Sequence, residues 1–259
     1  MKFRALAGLF ISITSSGALA DVASSGFYIS AKAGVSQFHS SNNTLNSSGV
    51  TAGVLSYDMA AAHLDNTSRT VFTPGLAIGY RFANDIQQPV RVELSIQNFG
   101  QSEQNFQSAS SVNGYWVGQK DSKFPLQTST QVQQTTRAST LMVNTYYDYP
   151  LGGNITPYVM AGVGAAFVKN SVSGNSNVGG QTLAWSDFNN RATNLAWALG
   201  VGVSWAVDEH LSFDSGYTFT DAGEITTPSL ATNGISEGRQ EMQTRVQLHT
   251  ISVGMTYHF

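Results

Sequence analysis

The stretch Thr250-Ile251-Ser252-Val253-Gly254-Met255-Thr256-Tyr257-His258-Phe259 decides the fold. Read backwards, Phe259, Tyr257, Met255, Val253 and Ile251 share one face, while His258, Thr256, Gly254, Ser252 and Thr250 share the other. An oily side and a wet side alternating with period two describe a β-strand, and about ten residues is the length that crosses a bilayer when tilted. A single soluble edge strand can show this pattern, so repetition is the test.

The pattern recurs. Segments near 26–37, 71–82, 90–99, 139–149, 156–168, 193–206 and 211–220 alternate in the same way, and with 247–259 they make eight strands. Nowhere does a 3.6-residue pattern persist long enough to argue a helix. Three connections are short and turn-like: 83–89 with Asn84, Asp85 and Pro89; 150–155 with Pro150, Gly152 and Gly153; and 207–210 around Asp208. The other four, 38–70, 100–138, 169–192 and 221–246, are long and rich in Ser, Thr, Asn, Gln and Gly. Long and short alternate without exception. In a compact soluble domain such long loops count against the strand assignment. In an up-and-down membrane barrel they are expected outside the cell, with short turns on the periplasmic side. The predicted fold is therefore all-β: an eight-stranded antiparallel transmembrane β-barrel of the outer membrane.

Composition agrees. Lys2 and Arg4 precede an apolar stretch from Ala5 to Ile13, and Ala18-Leu19-Ala20 makes a small-x-small cleavage site. Residues 1–20 read as a signal peptide and 21–259 as the barrel domain. Removing Lys2 and Arg4 from the 13 basic residues leaves 11 against 16 acidic, a formal charge of −5. That balance gives no electrostatic case for nucleic acid. The absence of cysteine leaves no disulfide framework and no thiolate metal site. No apolar run after residue 20 approaches the roughly 18 residues of a membrane helix, and a closed barrel needs none.

Charge fixes which face meets lipid. With the apolar face outward, none of the eight segments exposes a charged side chain to hydrocarbon, while Lys32, Arg81, Arg91, Glu93, Asp148 and Asp214 all point inward. Slipping each register by one residue turns all six outward. At roughly 2–4 kcal/mol per basic residue near the midplane, and less for acids, the slip costs on the order of 10 kcal/mol.

An eight-stranded barrel has a lumen about wide enough for its own side chains. Inward glycines, among them Gly79, Gly202, Gly216 and Gly254, make room for long Lys, Arg and Tyr side chains. Three inward cations face three inward anions, so the expected interior is salt-bridged packing and not an open pore. Outward aromatics collect at strand ends. Phe27, Tyr80, Phe82, Tyr147, Tyr149, Trp205, Phe213, Tyr257 and Phe259 gather at the periplasmic side, with Phe72, Phe167, Trp197, Tyr217 and Phe219 toward the outside. Such rings favour the headgroup level.

The closing arrangement of Ser252, Gly254, Tyr257 and Phe259 resembles the assembly signal carried on the last strand of bacterial outer-membrane barrels, which implies the barrel-assembly machinery as a partner. Ala31-Lys32-Ala33-Gly34-Val35-Ser36-Gln37-Phe38-His39 is similar to the first strand of the OmpA transmembrane domain, whose lysine also points inward. Broader similarity is to the opacity (Opa) family, and within it to the Tia, Hek and PagN type of invasins. It rests on Pro89 to Leu94, Leu141 to Asp148, Thr156 to Gly164, Asn194 to Val203 and Gly216 to Gly223. The resemblance implies an outer-membrane address and adhesion to or entry into host cells through a receptor, matrix or glycan ligand. It covers strands and almost none of the long loops, where recognition sits. The loop charges do not cluster in the sequence as heparin-like ligands require: Arg69 stands with Asp58 and Asp65; Arg239 and Arg245 with Asp221, Glu224, Glu237 and Glu241; Lys120 and Lys123 with Glu103 and Asp121.

Other constellations have structural readings. Gly162-x-Gly164 and Gly200-x-Gly202 lie inside alternating strands with no following helix, so they are lumen spacers and not phosphate loops. The five histidines show no metal-ligand spacing, and no cofactor is expected. Glu93, Asp148 and Asp214 have inward basic partners, so a structural charge network is preferred to acid–base catalysis, and no catalytic residues are assigned. Loop aromatics remain, and Tyr115, Trp116 and Trp185 are the candidate recognition residues. The reading is a non-enzymatic surface adhesin or invasin; the alternative is a small opacity-type porin or a structural barrel without an adhesive role.

Overall fold

The computed structural model describes residues 25–51, 55–63, 67–82, 88–178, 180–185, 188–232 and 237–259. The expected signal peptide and most of the 83–89 turn lie outside the described residues.

Ten strands follow one another: β1 Gly26–Thr51, β2 Leu55–His63, β3 Thr67–Arg81, β4 Val90–Trp116, β5 Lys123–Asp148, β6 Ile155–Val178, β7 Gln181–Trp185, β8 Phe188–Ala206, β9 Leu211–Thr232 and β10 Glu237–His258. Eight of them pair antiparallel in the ring β1-β3-β4-β5-β6-β8-β9-β10. The β1–β10 ladder, from Tyr28 opposite His258 outward, closes the ring. Closure leaves no free edge in hydrocarbon, as a membrane without hydrogen-bonding solvent demands. The two short strands β2 and β7 elaborate the first and third outer hairpins.

The apolar face is the exposed one. Leu76 is 63% exposed, Val159 56% and Ile251 61%, whereas the alternate positions are buried. Phe27, Tyr80 and Phe82 pack edge to face at 4.9 and 4.8 Å, and Tyr257 meets Phe259 at 5.4 Å, forming one aromatic band. Trp197, Phe219 and His249 form the facing band at 5.3 and 5.2 Å, with Tyr217 Oη 2.7 Å from His249 Nδ1.

One expectation is corrected. The four long spacers are not structureless: they are mostly strand. β4 has 27 residues and β5 has 26, against the roughly 9–11 that a tilted strand needs to cross a bilayer. These two remain paired from Val90–Tyr147 at one end to Tyr115–Lys123 at the other. The wall continues because Ser, Thr and Gln side chains pair across strands above the membrane as apolar ones do within it. Bulges mark the passage: the register shifts between Asn98 and Gln101, between Ser41 and Thr44, and between Arg245 and Gln247. Gly100, with φ of 61°, supplies the left-handed conformation at the first of these.

Candidate functional site

The interior is layered, and each layer follows from which residues point inward at that height. Nearest the short turns lies a charged layer. Arg91 on β4 meets Asp148 on β5 at 2.8 Å, and both are buried. Its guanidinium also sits 4.6 Å from the ring centre of Tyr146, 5.4 Å from Tyr158 and 5.9 Å from Tyr28. Three electron-rich faces around one cation offset part of its desolvation. Arg81 is buried in this layer and is engaged.

Higher up, Lys32 Nζ donates to both oxygens of Glu93, at 2.7 and 3.0 Å, and lies 3.0 Å from Tyr146 Oη. Tyr146 Oη donates to Glu93 Oε1 at 3.0 Å. Asp214 accepts from Thr256 Oγ1 at 2.7 Å, and Thr256 also reaches Ser30 at 3.0 Å. The six charges named from the sequence thus lie inside the wall. Lys32 with Glu93 forms one ion pair, and Arg91 with Asp148 forms a second.

A cavity of about 40 Å³ follows, with Lys32, Asp214, Tyr158 and Asn144 and also Met142 and Met160 in its lining. It has room for a few waters. Above it the inward face turns apolar: Phe38, Phe99, Val246 and Leu248 are fully buried, with Ile225 and Val168 beside them. Sequence reading treated the inward face as uniformly wet and missed this layer. Its signal is Phe38 and Leu248, which stand in inward parity at the outer limits of the segments expected from the sequence and directly across from each other.

Past the apolar layer the interior becomes polar again. Thr136 donates to Asn170 Oδ1 at 3.0 Å, Asn170 to Thr227 at 2.9 Å, and Thr244 to Asn43 Oδ1 at 3.0 Å. Asp221 and Arg245, read from the sequence as loop charges, belong to the wall. Asp221 is 3% exposed and accepts from Arg245 Nη2 at 2.7 Å, from Gly223 N at 2.9 Å and from Gln247 at 3.3 Å. Burial pushes its pKa up, but the three donors, led by Arg245, outweigh burial and hold it below the usual carboxylate value.

The candidate recognition residues separate. Tyr115, at the end of β4, is 7% exposed and engaged, so it does not present a free ring. Trp116 is 50% exposed and leans on Phe124 at 5.9 Å, with Val117 exposed beside it. Of Trp185 the described part is the backbone, which pairs with Ala231 of β9. Ser252, Gly254 and Tyr257 lie on β10, and the Phe259 backbone N–H bonds Phe27 O at 3.0 Å, with the ring 72% exposed.

Sequence comparison places this geometry among known proteins. A family model described as the outer membrane protein beta-barrel domain matches residues 6–259. Outer membrane protein PagN of Salmonella typhimurium is 30% identical over 243 residues, covering 92% of this chain and 91% of the relative. A putative adhesin of Rickettsia conorii is 25% identical over 167 residues, covering 64% of this chain and 60% of the relative. The crystal structure of Neisserial surface protein A aligns over 91% of this chain and 99% of its own, at 18% identity and a TM-score of 0.42.

Proposed function

Because the chain belongs to the outer membrane protein beta-barrel domain family, with PagN among its relatives, we propose that it is a non-enzymatic adhesin or invasin of the opacity type. Its place is the bacterial outer membrane, with lipid against its apolar face. Its outer hairpins contact a host-cell receptor, matrix or glycan ligand.

One observation carries the reading. The β4–β5 hairpin stays paired far above the outer aromatic band and ends at Trp116, a half-exposed ring braced by Phe124. A stiff stalk presents an aromatic at low entropic cost, which is how binding surfaces use Trp. The putative adhesin from Rickettsia conorii agrees with the class. The layered interior supports a wall whose work is outside, since buried ion pairs and an apolar cluster border a cavity of only about 40 Å³. The same proposal includes residues 1–20 as a cleaved signal peptide and the β10 end as the part read by the barrel-assembly machinery.

The test is expression of the intact chain, and of a chain shortened between Ser102 and Thr136, in a non-adherent bacterium. Adhesion to cultured cells that rises with the intact chain and disappears with the shortened hairpin supports the proposal. Unchanged adherence on expressing the intact chain refutes it, and leaves a structural or porin-like barrel.

A further inference from the structure

Three cations far apart in the sequence stand side by side on the outer wall. Arg137 of β5 is directly opposite Lys169 of β6, and Lys169 is directly opposite Arg191 of β8. Each is at an outward position: Arg137 shares parity with Leu141, Lys169 with Phe167, and Arg191 with Leu195 and Trp197, all exposed. Opposed residues on neighbouring strands hold their Cβ atoms about 4.5–5.5 Å apart, so like charges here repel unless an anion is shared.

No carboxylate among the described residues of the wall pairs with them. Arg137 donates from Nε, at 2.8 Å, and from Nη2 to Gln101 Oε1, a neutral group. Among the described residues no ion pair reaches any of the three. Two carboxylates flank the row on the outward face, Glu103 on β4 and Glu224 on β9. Glu103 accepts from the Gln101 amide at 2.6 Å, and Glu224 forms no ion pair among the described residues.

Height identifies the missing partner. The next outward row below is Ser139, Phe167 and Thr193, and the one below that is Leu141, Ala165 and Leu195, which is 77% exposed. The cations therefore sit just above the last lipid-facing apolar side chains, at headgroup level. They point sideways. The hairpin tip at Lys123 lies about 45 Å further along β5 at roughly 3.3 Å per residue, so a ligand arriving from above meets the tip and not this row.

We propose that Arg137, Lys169 and Arg191 bind the phosphate groups of a phosphorylated outer-leaflet glycolipid and hold it against the β5–β6–β8 wall. Two guanidinium forks grip phosphate oxygens in bidentate fashion, and the lysine between them acts as a point charge. The site is independent of whether the hairpins adhere to host cells.

The test reconstitutes the full chain in phosphatidylcholine vesicles containing either diphosphorylated lipid A or its dephosphorylated form. Lipid retained after detergent extraction is counted by native mass spectrometry. The protein is expected to retain the phosphorylated lipid and not the dephosphorylated one. The R137Q/K169Q/R191Q variant is expected to lose retention by roughly tenfold or more. R137K/R191K, which keeps the charge and loses the forks, is expected to fall between, and heat-modifiable migration checks that each variant is folded. Equal retention of both lipids by the unaltered protein overturns the proposal without recourse to any variant. So does full retention by the folded triple variant, complete displacement of lipid A by millimolar inorganic phosphate, or capture of heparin in preference to lipid A.

Discussion

Tyr28 on β1 stands directly across from Gly79 on β3, and its phenol ring fills the space that a Cβ at position 79 needs. Tyr158 treats Gly202 on β8 in the same way, with Cζ 2.5 Å from the position of that Cβ. Both rings then lie within reach of the Arg91 guanidinium. Gly79→Ala is expected to cost about 1–3 kcal/mol through overpacking. The loss should appear as a lower urea midpoint in detergent micelles and be largely recovered by adding Tyr28→Leu. No shift in the midpoint would show that the ring has room to move.

The Lys32–Glu93 pair gives an asymmetric prediction. Glu93 is 1% exposed, so Lys32→Met leaves a carboxylate buried without its cation, at a cost of about 3–5 kcal/mol. The double variant Lys32→Met with Glu93→Leu removes both charges and is expected to regain most of that loss. The fraction migrating as folded barrel during urea titration measures both.

Asp221 makes part of the stability pH-dependent. Its carboxyl is held below the ordinary 3.8 by Arg245, Gly223 N and Gln247, against the opposing effect of burial. A depressed folded-state pKa contributes stability that is fully present above the unfolded value and is lost as pH falls through the folded value. The unaltered protein should therefore exceed Asp221→Asn in stability by a constant margin above about pH 5, and that margin should shrink with acidification below the unfolded value. A margin unchanged down to pH 2 would contradict the assignment.

Trp116→Ala is expected to weaken adhesion by roughly tenfold or more if the ring is a binding anchor, with no change in folded fraction. Tyr115→Phe should leave adhesion intact, because that side chain is buried. Adhesion assays on bacteria displaying matched amounts of each variant separate the two.

Phe259→Ala is expected to lower the amount of folded barrel in cells while leaving refolding in detergent nearly normal, since the ring is 72% exposed and packs on Tyr257 alone among the described aromatic contacts. Equal yields in cells would remove the assembly role.

The membrane girth of the wall was legible in the sequence because lipid and lumen differ so sharply: Met255 and Val253 against Gly254 and Ser252 leave one reading of the register. The outer wall was not. In Gln127-Thr128-Ser129-Thr130-Gln131 both faces are polar, so alternation disappears although the strand continues. Bulges hid more, since the shift between Arg245 and Gln247 breaks the parity that links Arg245 to the lower part of β10. The row Arg137, Lys169 and Arg191 depends on cross-strand register, which no local pattern encodes. Tyr115 and Trp116 are adjacent, and no local pattern in the sequence tells that the first is buried and the second half-exposed.

The seam between β1 and β10 has a temporal meaning. Each strand finds a neighbour close by in the chain except at this junction, where Tyr28 must wait for His258. No complete ring exists while the final strand is still being made. The unfinished polypeptide therefore travels with two sticky borders, and delivery in a guarded, unclosed form is a requirement that its topology imposes on the cell.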